Sequence, residues 1–220
     1  MTTRLAALAL ASASLLAASA IADTPPAEGT PTGAPQAPVI APIGSKAPDF
    51  TLADTDGNSV TLSSLKGKIV VLEWFNPDCP FVKNAHGEGG VLRTMGNTWA
   101  GKGVTWLAIN SSAEGKQGFG LDRNKQARTD YGITYPVLLD PMGQAGRSYG
   151  AKTTPHVFVI DANGMLVYKG GVDNAPMGEV QDGSPRVAYL EDALAAAVAG
   201  KPIVTTETRS YGCGVKYAAP

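Results

Sequence analysis

The run Lys68–Phe75, Lys-Ile-Val-Val-Leu-Glu-Trp-Phe, constrains the fold most. It is of strand length, rich in β-branched residues and apolar at both odd and even positions. Side chains of a strand alternate between faces, so such a run needs cover on both sides of its sheet, as in layered α/β proteins. It stops at the polar turn Asn76-Pro77-Asp78, and Cys79-Pro80 then opens a helical pattern. Gly87, Gly89 and Gly90 interrupt that pattern, each costing about 1 kcal/mol relative to alanine inside a helix, and it resumes over Val91–Ala100. Gly101-Lys102-Gly103 closes the helix and Val104–Asn110 reads as a second strand. Strand, crossover and strand make a parallel βαβ unit.

Upstream, Asp49–Leu62 reads as two short strands about Asp54-Thr55-Asp56-Gly57, where the Asp-Gly pair permits a hairpin turn. Downstream, Lys116–Tyr131 holds a polar helical stretch and Tyr135–Leu139 a short strand. Thr154-Pro155 precedes a buried-strand run, His156–Ile160; Asp161-Ala162-Asn163-Gly164 turns the chain, and Met165–Lys169 returns antiparallel. Ser184 and Pro185 are placed to cap and start a last helix with Val187, Leu190, Leu194 and Val198 on one face. Gly200 and Pro202 end it. The order implies a βαβ unit followed by a ββα unit on one sheet, with no internal repeat.

Residues 1–22 carry Arg4, an apolar Leu/Ala-rich stretch and Ala20-Ile21-Ala22 before Asp23, which reads as a cleaved secretory signal. The stretch is broken by serines and is short for a membrane span, so no stable membrane insertion is expected after cleavage. Residues 23–43, dense in Pro and Ala, cannot bury enough apolar surface to offset the entropy of ordering them and read as a linker. Residues 44–220 fit one domain. Eighteen Lys and Arg against nineteen Asp and Glu leave a net charge of −1 without a basic block, which excludes nucleic acid as an expected partner. The chain has two cysteines, Cys79 and Cys213, and export, to the periplasm or beyond, takes both to an oxidising compartment.

Cys79 sits where a strand hands over to a helix. Unpaired N–H groups at a helix start favour the thiolate, the reactive form of cysteine, and Pro80 suits the first helical position. Lys83, on the same helix face, adds positive charge and Asp78 opposes it, so the net effect is not legible. The bland alternative is an inert core cysteine. Glu73 interrupts the apolar run; burying its ionised form is costly, which suits a proton shuttle, whereas the alternative is a salt bridge to a lysine at the sheet edge. His86 reads as an exposed polar residue and His156, leading into a strand, as a packing residue. Cys213 is either half of a structural disulfide with Cys79 or a resolving cysteine whose flanking Gly212 and Gly214 permit movement; the second is favoured.

The element order resembles the thioredoxin fold, and more narrowly the redoxin and peroxiredoxin-like proteins of the alkyl hydroperoxide reductase/thiol-specific antioxidant superfamily. The motifs that carry the resemblance are Asn76-Pro77-Asp78-Cys79-Pro80-Phe81-Val82-Lys83, Ile109-Asn110-Ser111-Ser112, Gly150-Ala151-Lys152-Thr153-Thr154-Pro155-His156 and Tyr211-Gly212-Cys213-Gly214-Val215-Lys216-Tyr217. It implies an α/β thioredoxin-like fold, a central mixed sheet flanked by helices, with an N-terminal β-hairpin extension. It further implies that Glu73 stands where thioredoxins keep a buried acid, and that Pro155 is the cis-proline facing the active cysteine, leaving the backbone of Thr154 to an extended substrate. Two departures stand out. Val82 replaces the second cysteine of a thioredoxin, and Asn76 replaces the hydroxyl residue that orients a peroxide in peroxiredoxins, its amide being the substitute donor.

Together these features describe an exported thiol-dependent oxidoreductase. Cys79 attacks a peroxide oxygen or a disulfide sulfur, Cys213 or an outside thiol resolves the product, and an external thiol reductant such as a thioredoxin-like protein restores the pair. The chemistry calls for no cofactor or metal. The rival readings are a thiol/disulfide exchange protein without peroxidase activity and a non-catalytic metal carrier using Cys79, Cys213 and His156 as soft ligands.

Overall fold

The computed structural model describes residues 40–180 and 182–219. The stretch read as a signal and most of that read as a linker lie outside them. Ala41 is buried and its N–H donates to Ser148 O at 3.2 Å, so packing reaches back into the segment read as linker.

The chain opens with a hairpin, β1 (Thr51–Asp54) and β2 (Ser59–Thr61), turned about Gly57 as its Asp-Gly pair predicts. The apolar run forms β3 (Ile69–Trp74), followed by α1 (Pro80–His86), α2 (Leu92–Ala100) and β4 (Val104–Asn110). Then come α3 (Leu121–Tyr131), β5 (Val137–Leu139), α4 (Gln144–Tyr149) and the two-residue strand β6 (Thr153–Thr154). The antiparallel pair β7 (His156–Ile160) and β8 (Leu166–Gly170), the helix α5 (Tyr189–Val198) and the short strand β9 (Cys213–Gly214) complete it.

Seven strands make one mixed sheet in the order β2-β1-β5-β4-β3-β7-β8. β3 lies parallel to β4 and antiparallel to β7, so the predicted βαβ and ββα units share it, and the hairpin joins through β1 antiparallel to β5. This is the thioredoxin-like architecture that the motifs implied. Both faces of β3 are covered, as its composition demands. Val71 packs with Val82, Ala85 and Trp99 from α1 and α2 and with Leu190 and Leu194 from α5. Val70, Leu72 and Trp74 pack on the other face with Ala145 and Tyr149 from α4.

The last helix departs from expectation. It starts at Tyr189, not at Ser184-Pro185, and Val187 is exposed rather than part of its apolar face. A tertiary dock overrides the local capping signal. The Asn174 side chain donates to Pro185 O and accepts from Val187 N–H, and Arg186 binds the buried carboxylate of Asp173. Within the helix, Leu190, Ala193 and Leu194 face the core, whereas Val198 is exposed. Gly200 then takes the left-handed conformation (φ 64°) that ends it.

Candidate active site

Cys79 is the N-cap residue of α1, with Pro80 at the first helical position. Its approach is fixed by the turn before it. Asn76 Oδ1 accepts from Asp78 N–H at 2.9 Å and Asn76 O accepts from Cys79 N–H at 3.1 Å. The Asn76 amide donates to Gln117 O at 3.1 Å and to Ser112 Oγ at 3.5 Å, so the Asn110-Ser111-Ser112 motif and the loop after it prop up this turn. With both ends of its amide engaged and only 1% of its surface exposed, Asn76 holds backbone rather than standing ready as a donor to a peroxide. Gly118 makes this contact feasible, since a Cβ there would stand 2.3 Å from Asn76 Oδ1.

The charges near Cys79 also differ from expectation. Lys83 is exposed. Asp78 is bound instead by Arg123 of α3, whose Nε and Nη2 reach Oδ1 at 3.0 and 2.8 Å, while Nη2 also reaches Pro77 O at 3.2 Å. Tyr131 OH donates to Pro77 O at 2.8 Å, so two side chains of one helix pin the turn that carries the cysteine.

Cys213 arrives from the far end of the chain. β9 pairs antiparallel with β6, setting Cys213 opposite Thr154 and Gly214 opposite Thr153. Both cysteines are thiols, Cys79 fully buried and Cys213 partly so, and Cys213 packs against the buried cluster that contains Cys79. The protonated Cys79 thiol also donates to Thr154 O at 3.0 Å, and the Thr154–Pro155 bond is cis. Cys79, Thr154, Pro155 and Cys213 thus form one constellation. The backbone of Thr154, expected to be free for a substrate, is engaged by Cys213.

The surroundings push the two thiols apart. Burial raises Cys79, but hydrogen bonds from the side chains of Cys213 and Thr154 and from the N–H groups of Val82 and Cys213 outweigh it, leaving the thiol below its ordinary value. Burial, followed by the hydrogen bond to Cys79 and the charge on it, pushes Cys213 up to about 11. The two thiols thus differ in how readily each ionises.

Gly212 is tightly packed rather than loose. Its φ is +124°, and a Cβ there would stand 2.1 Å from Thr154 O. The flanking glycines therefore serve close approach at Gly212, where the sequence alone indicated mobility. Around them, Val215 N–H donates to Lys152 O at 3.1 Å, Ala113 N–H donates to Lys216 O at 2.9 Å, and Tyr217 OH donates to Ala151 O at 2.9 Å. On the other side of Cys213, Tyr211 OH donates to Asp173 Oδ1 at 2.8 Å and its ring lies against Phe81 of α1.

Glu73 is fully buried on the Val71 face of β3, away from any lysine at the sheet edge. Its Oε1 lies 2.6 Å from His86 Nε2, and its Oε2 accepts from Trp106 Nε1 at 3.0 Å and Tyr135 OH at 3.5 Å. His86, expected on the surface, is fully buried, T-shaped against Phe75 and stacked on Tyr131. The signal was present in the sequence. His86 follows the buried Cys79 by two helical turns, and a buried acid requires a donor of this kind.

His156 lies outside the constellation. Its Nδ1 accepts from the Lys152 N–H at 3.3 Å, and it lines a cavity of about 670 Å³ with Lys152, Lys169 and Arg209. Burial, followed by the charges of Lys152 and Lys169, drives its pKa down to about 3. Among the described residues no group of three or more His, Cys, Asp or Glu side chains is placed to hold a metal, so Cys79, Cys213 and His156 do not gather as the carrier reading expected.

The redoxin family model matches residues 42–183, which include Cys79, Thr154 and Pro155 but end before Cys213. The chain belongs to the redoxin family. Among the relatives of this redoxin, thiol-disulfide oxidoreductase ResA of Geobacillus thermodenitrificans is 32% identical over 124 residues, 56% of this chain and 66% of that protein. The chain therefore covers slightly less than two thirds of that relative. Among solved structures, a hypothetical protein of Sinorhizobium meliloti 1021 is 31% identical with a TM-score of 0.70, over 82% of this redoxin and 97% of the other chain. An uncharacterized conserved protein of Geobacillus kaustophilus is 30% identical with a TM-score of 0.72, over 81% and 94% of the two chains.

Proposed function

We propose that the protein is an exported thiol-disulfide oxidoreductase in which Cys79 is the nucleophile and Cys213 its resolving partner. The observation that carries this reading is the placement of the two cysteines: the β6–β9 pairing sets Cys213 opposite Thr154, whose carbonyl accepts from the Cys79 thiol at 3.0 Å, and the surroundings lower the pKa of Cys79 while raising that of Cys213. The relatives named thiol-disulfide oxidoreductase agree with it. In the first step the Cys79 thiolate attacks one sulfur of a substrate disulfide, and the other sulfur leaves as a thiolate that takes a proton. The charge on Cys79 is then gone, and with it two of the influences that hold Cys213 protonated, while Lys216 and the Phe81 N–H still favour its thiolate. Cys213 ionises, attacks Cys79, and releases the substrate as a thiol. The reaction leaves a Cys79–Cys213 disulfide for an external thiol reductant, such as a thioredoxin-like protein, to reduce.

Peroxide is the second substrate class, with sulfenic acid at Cys79 in place of the mixed disulfide. The engagement of Asn76 takes away the donor assigned to it, so disulfide exchange is preferred. Residues 1–22 have the charged, apolar and small-residue order of a secretory signal, which supports a periplasmic or secreted location and a mature chain starting near Asp23. No helix among the described residues is long and apolar enough to cross a membrane.

The test is mass spectrometry of the wild type, Cys79→Ser and Cys213→Ser after stoichiometric model disulfide or peroxide. Cys79→Ser should lose all turnover. Cys213→Ser should undergo the first oxidation normally and accumulate the Cys79 adduct. A turning-over Cys79→Ser, or a Cys213→Ser that traps no adduct, would contradict the assignment, and sulfenic acid formed faster than mixed disulfide would move the substrate to peroxide.

A further inference from the structure

The strand β6 stands outside the seven-stranded sheet and, among the described residues, has one partner, β9. The segment carrying β9 is held on both sides of Cys213, by Tyr211 on Asp173 and by Val215 on Lys152, and with it in place Cys79 has 0% of its surface exposed. A disulfide in another molecule cannot reach a buried sulfur. Moving the segment aside frees the Cys79 sulfur and the backbone N–H and C=O groups of β6 together, and an unpaired strand edge is a site for an added strand.

We propose that residues 209–216 are an internal occupant of a peptide-docking edge, and that the partner taking their place is an extended polypeptide whose disulfide-bonded cysteine follows a glycine. This rests on the reading of Cys79 as the nucleophile and adds what that residue selects. The selection follows from the fit of the chain's own segment. The residue before Cys213 has φ +124°, and any Cβ there would stand 2.1 Å from Thr154 O. The residue after it has open surroundings, the nearest atom to a Cβ at Gly214 being Lys152 O at 4.0 Å. A polypeptide in the same register therefore needs glycine before its cysteine and tolerates a side chain after it.

Occupancy also orders the reaction. The segment lifts and takes the Cys213 donor with it, leaving Thr154 and the Val82 N–H to favour the thiolate. The partner strand pairs with β6, and Cys79 attacks its disulfide, forming one S–S bond as the partner's S–S bond breaks and its second sulfur leaves as a thiolate that takes a proton from water. Cys213 cannot return to its register while that strand is paired. The partner must first peel from β6 while still bonded to Cys79; Cys213 then attacks, and two electrons have passed from the cysteine pair to the partner disulfide.

The probes are the symmetric disulfides of three peptides, Tyr-Gly-Cys-Gly-Val-Lys, Tyr-Ala-Cys-Gly-Val-Lys and Tyr-Gly-Cys-Ala-Val-Lys, with hydroxyethyl disulfide as a small control. Each reacts with the full-length wild type and with two variants that loosen the segment. Gly212→Ala forces a Cβ against Thr154 O, and Val215→Pro removes the N–H bonded to Lys152 O; the second serves if the first fails to fold. Loss of one such backbone tie should speed adduct formation with the first peptide by about tenfold. Alanine before the cysteine should remove that gain and alanine after it should leave it intact. Equal rates for the two alanine peptides, or no acceleration in either variant, would overturn the proposal. If Cys79 stays unmodified by hydroxyethyl disulfide as well, in every variant, the underlying assignment of the nucleophile fails instead.

Discussion

Within the pair Cys79 and Cys213, the ionisation of each thiol depends on the other. Cys79 lies below its ordinary value because donors gather on its sulfur, and the first of these is the Cys213 side chain, itself held at about 11. Two coupled groups lose their protons in two macroscopic steps. The ultraviolet absorbance of thiolate should therefore rise in a first step below the ordinary cysteine range and a second near 11. The sign of a mutation follows directly: Cys213→Ala removes a donor to the thiolate, so the first step should move to higher pH and the thiolate fraction at neutral pH should fall. An unchanged or lowered first midpoint in Cys213→Ala would show that the pair is not coupled in this way. The placement of Cys79 was legible in the sequence because a strand, a turn and a helix start converge on it. Cys213 was paired with Cys79 as the only other cysteine, but its strand pairing opposite Thr154 was not legible, because nothing local in the sequence specifies it.

At the scale of elements, Glu73 and His86 tie the central strand β3 to the last turn of α1. Their side chains are 0% and 1% exposed and lie 2.6 Å apart, and His86 Nδ1 has no partner among the described residues. Removing His86 leaves Glu73 Oε1 buried without its partner, while Trp106 and Tyr135 still hold Oε2, at a cost of about 1–3 kcal/mol. His86→Ala should lose that much in urea unfolding, and Glu73→Leu should lose more, because Trp106 Nε1–H and Tyr135 O–H would then be buried without their acceptor. A loss below about 1 kcal/mol in His86→Ala would place the pair with exposed ion pairs and remove it as a structural tie. The strands and the first helices were legible because period and punctuation agree with tertiary structure there. The start of α5 was not, because Asn174 and Asp173 capture Pro185, Arg186 and Val187 in a contact that no local capping rule contains. The β6–β9 pair had no periodicity to read, since two residues on each side are too few to show alternation.

For the molecule as a whole, the folding equilibrium and the redox equilibrium are two sides of one cycle. The native chain holds Cys79 and Cys213 in contact, whereas the unfolded reduced chain must close a loop of well over a hundred residues to join them. In the chain-entropy account, a disulfide closing a loop of that length stabilises the fold by about 4–5 kcal/mol. The oxidised protein should therefore unfold at a higher urea concentration than the reduced protein by that free energy. The same difference must appear in the reduction potential, because the disulfide forms more readily in the native chain than in the unfolded one. For a two-electron couple it corresponds to a native potential about 100 mV below that of the same pair in the unfolded chain. Urea melts of both redox forms, with glutathione titrations of the native and urea-unfolded protein, measure the two sides independently. Equal stabilities of the oxidised and reduced forms would mean that bringing the cysteines together strains the native chain by as much as loop closure costs the unfolded one. A Cys213 already set opposite Thr154, whose carbonyl the Cys79 thiol reaches, on a segment anchored at Tyr211, Val215 and Tyr217, argues against that outcome, since the two cysteines are neighbours before the bond forms.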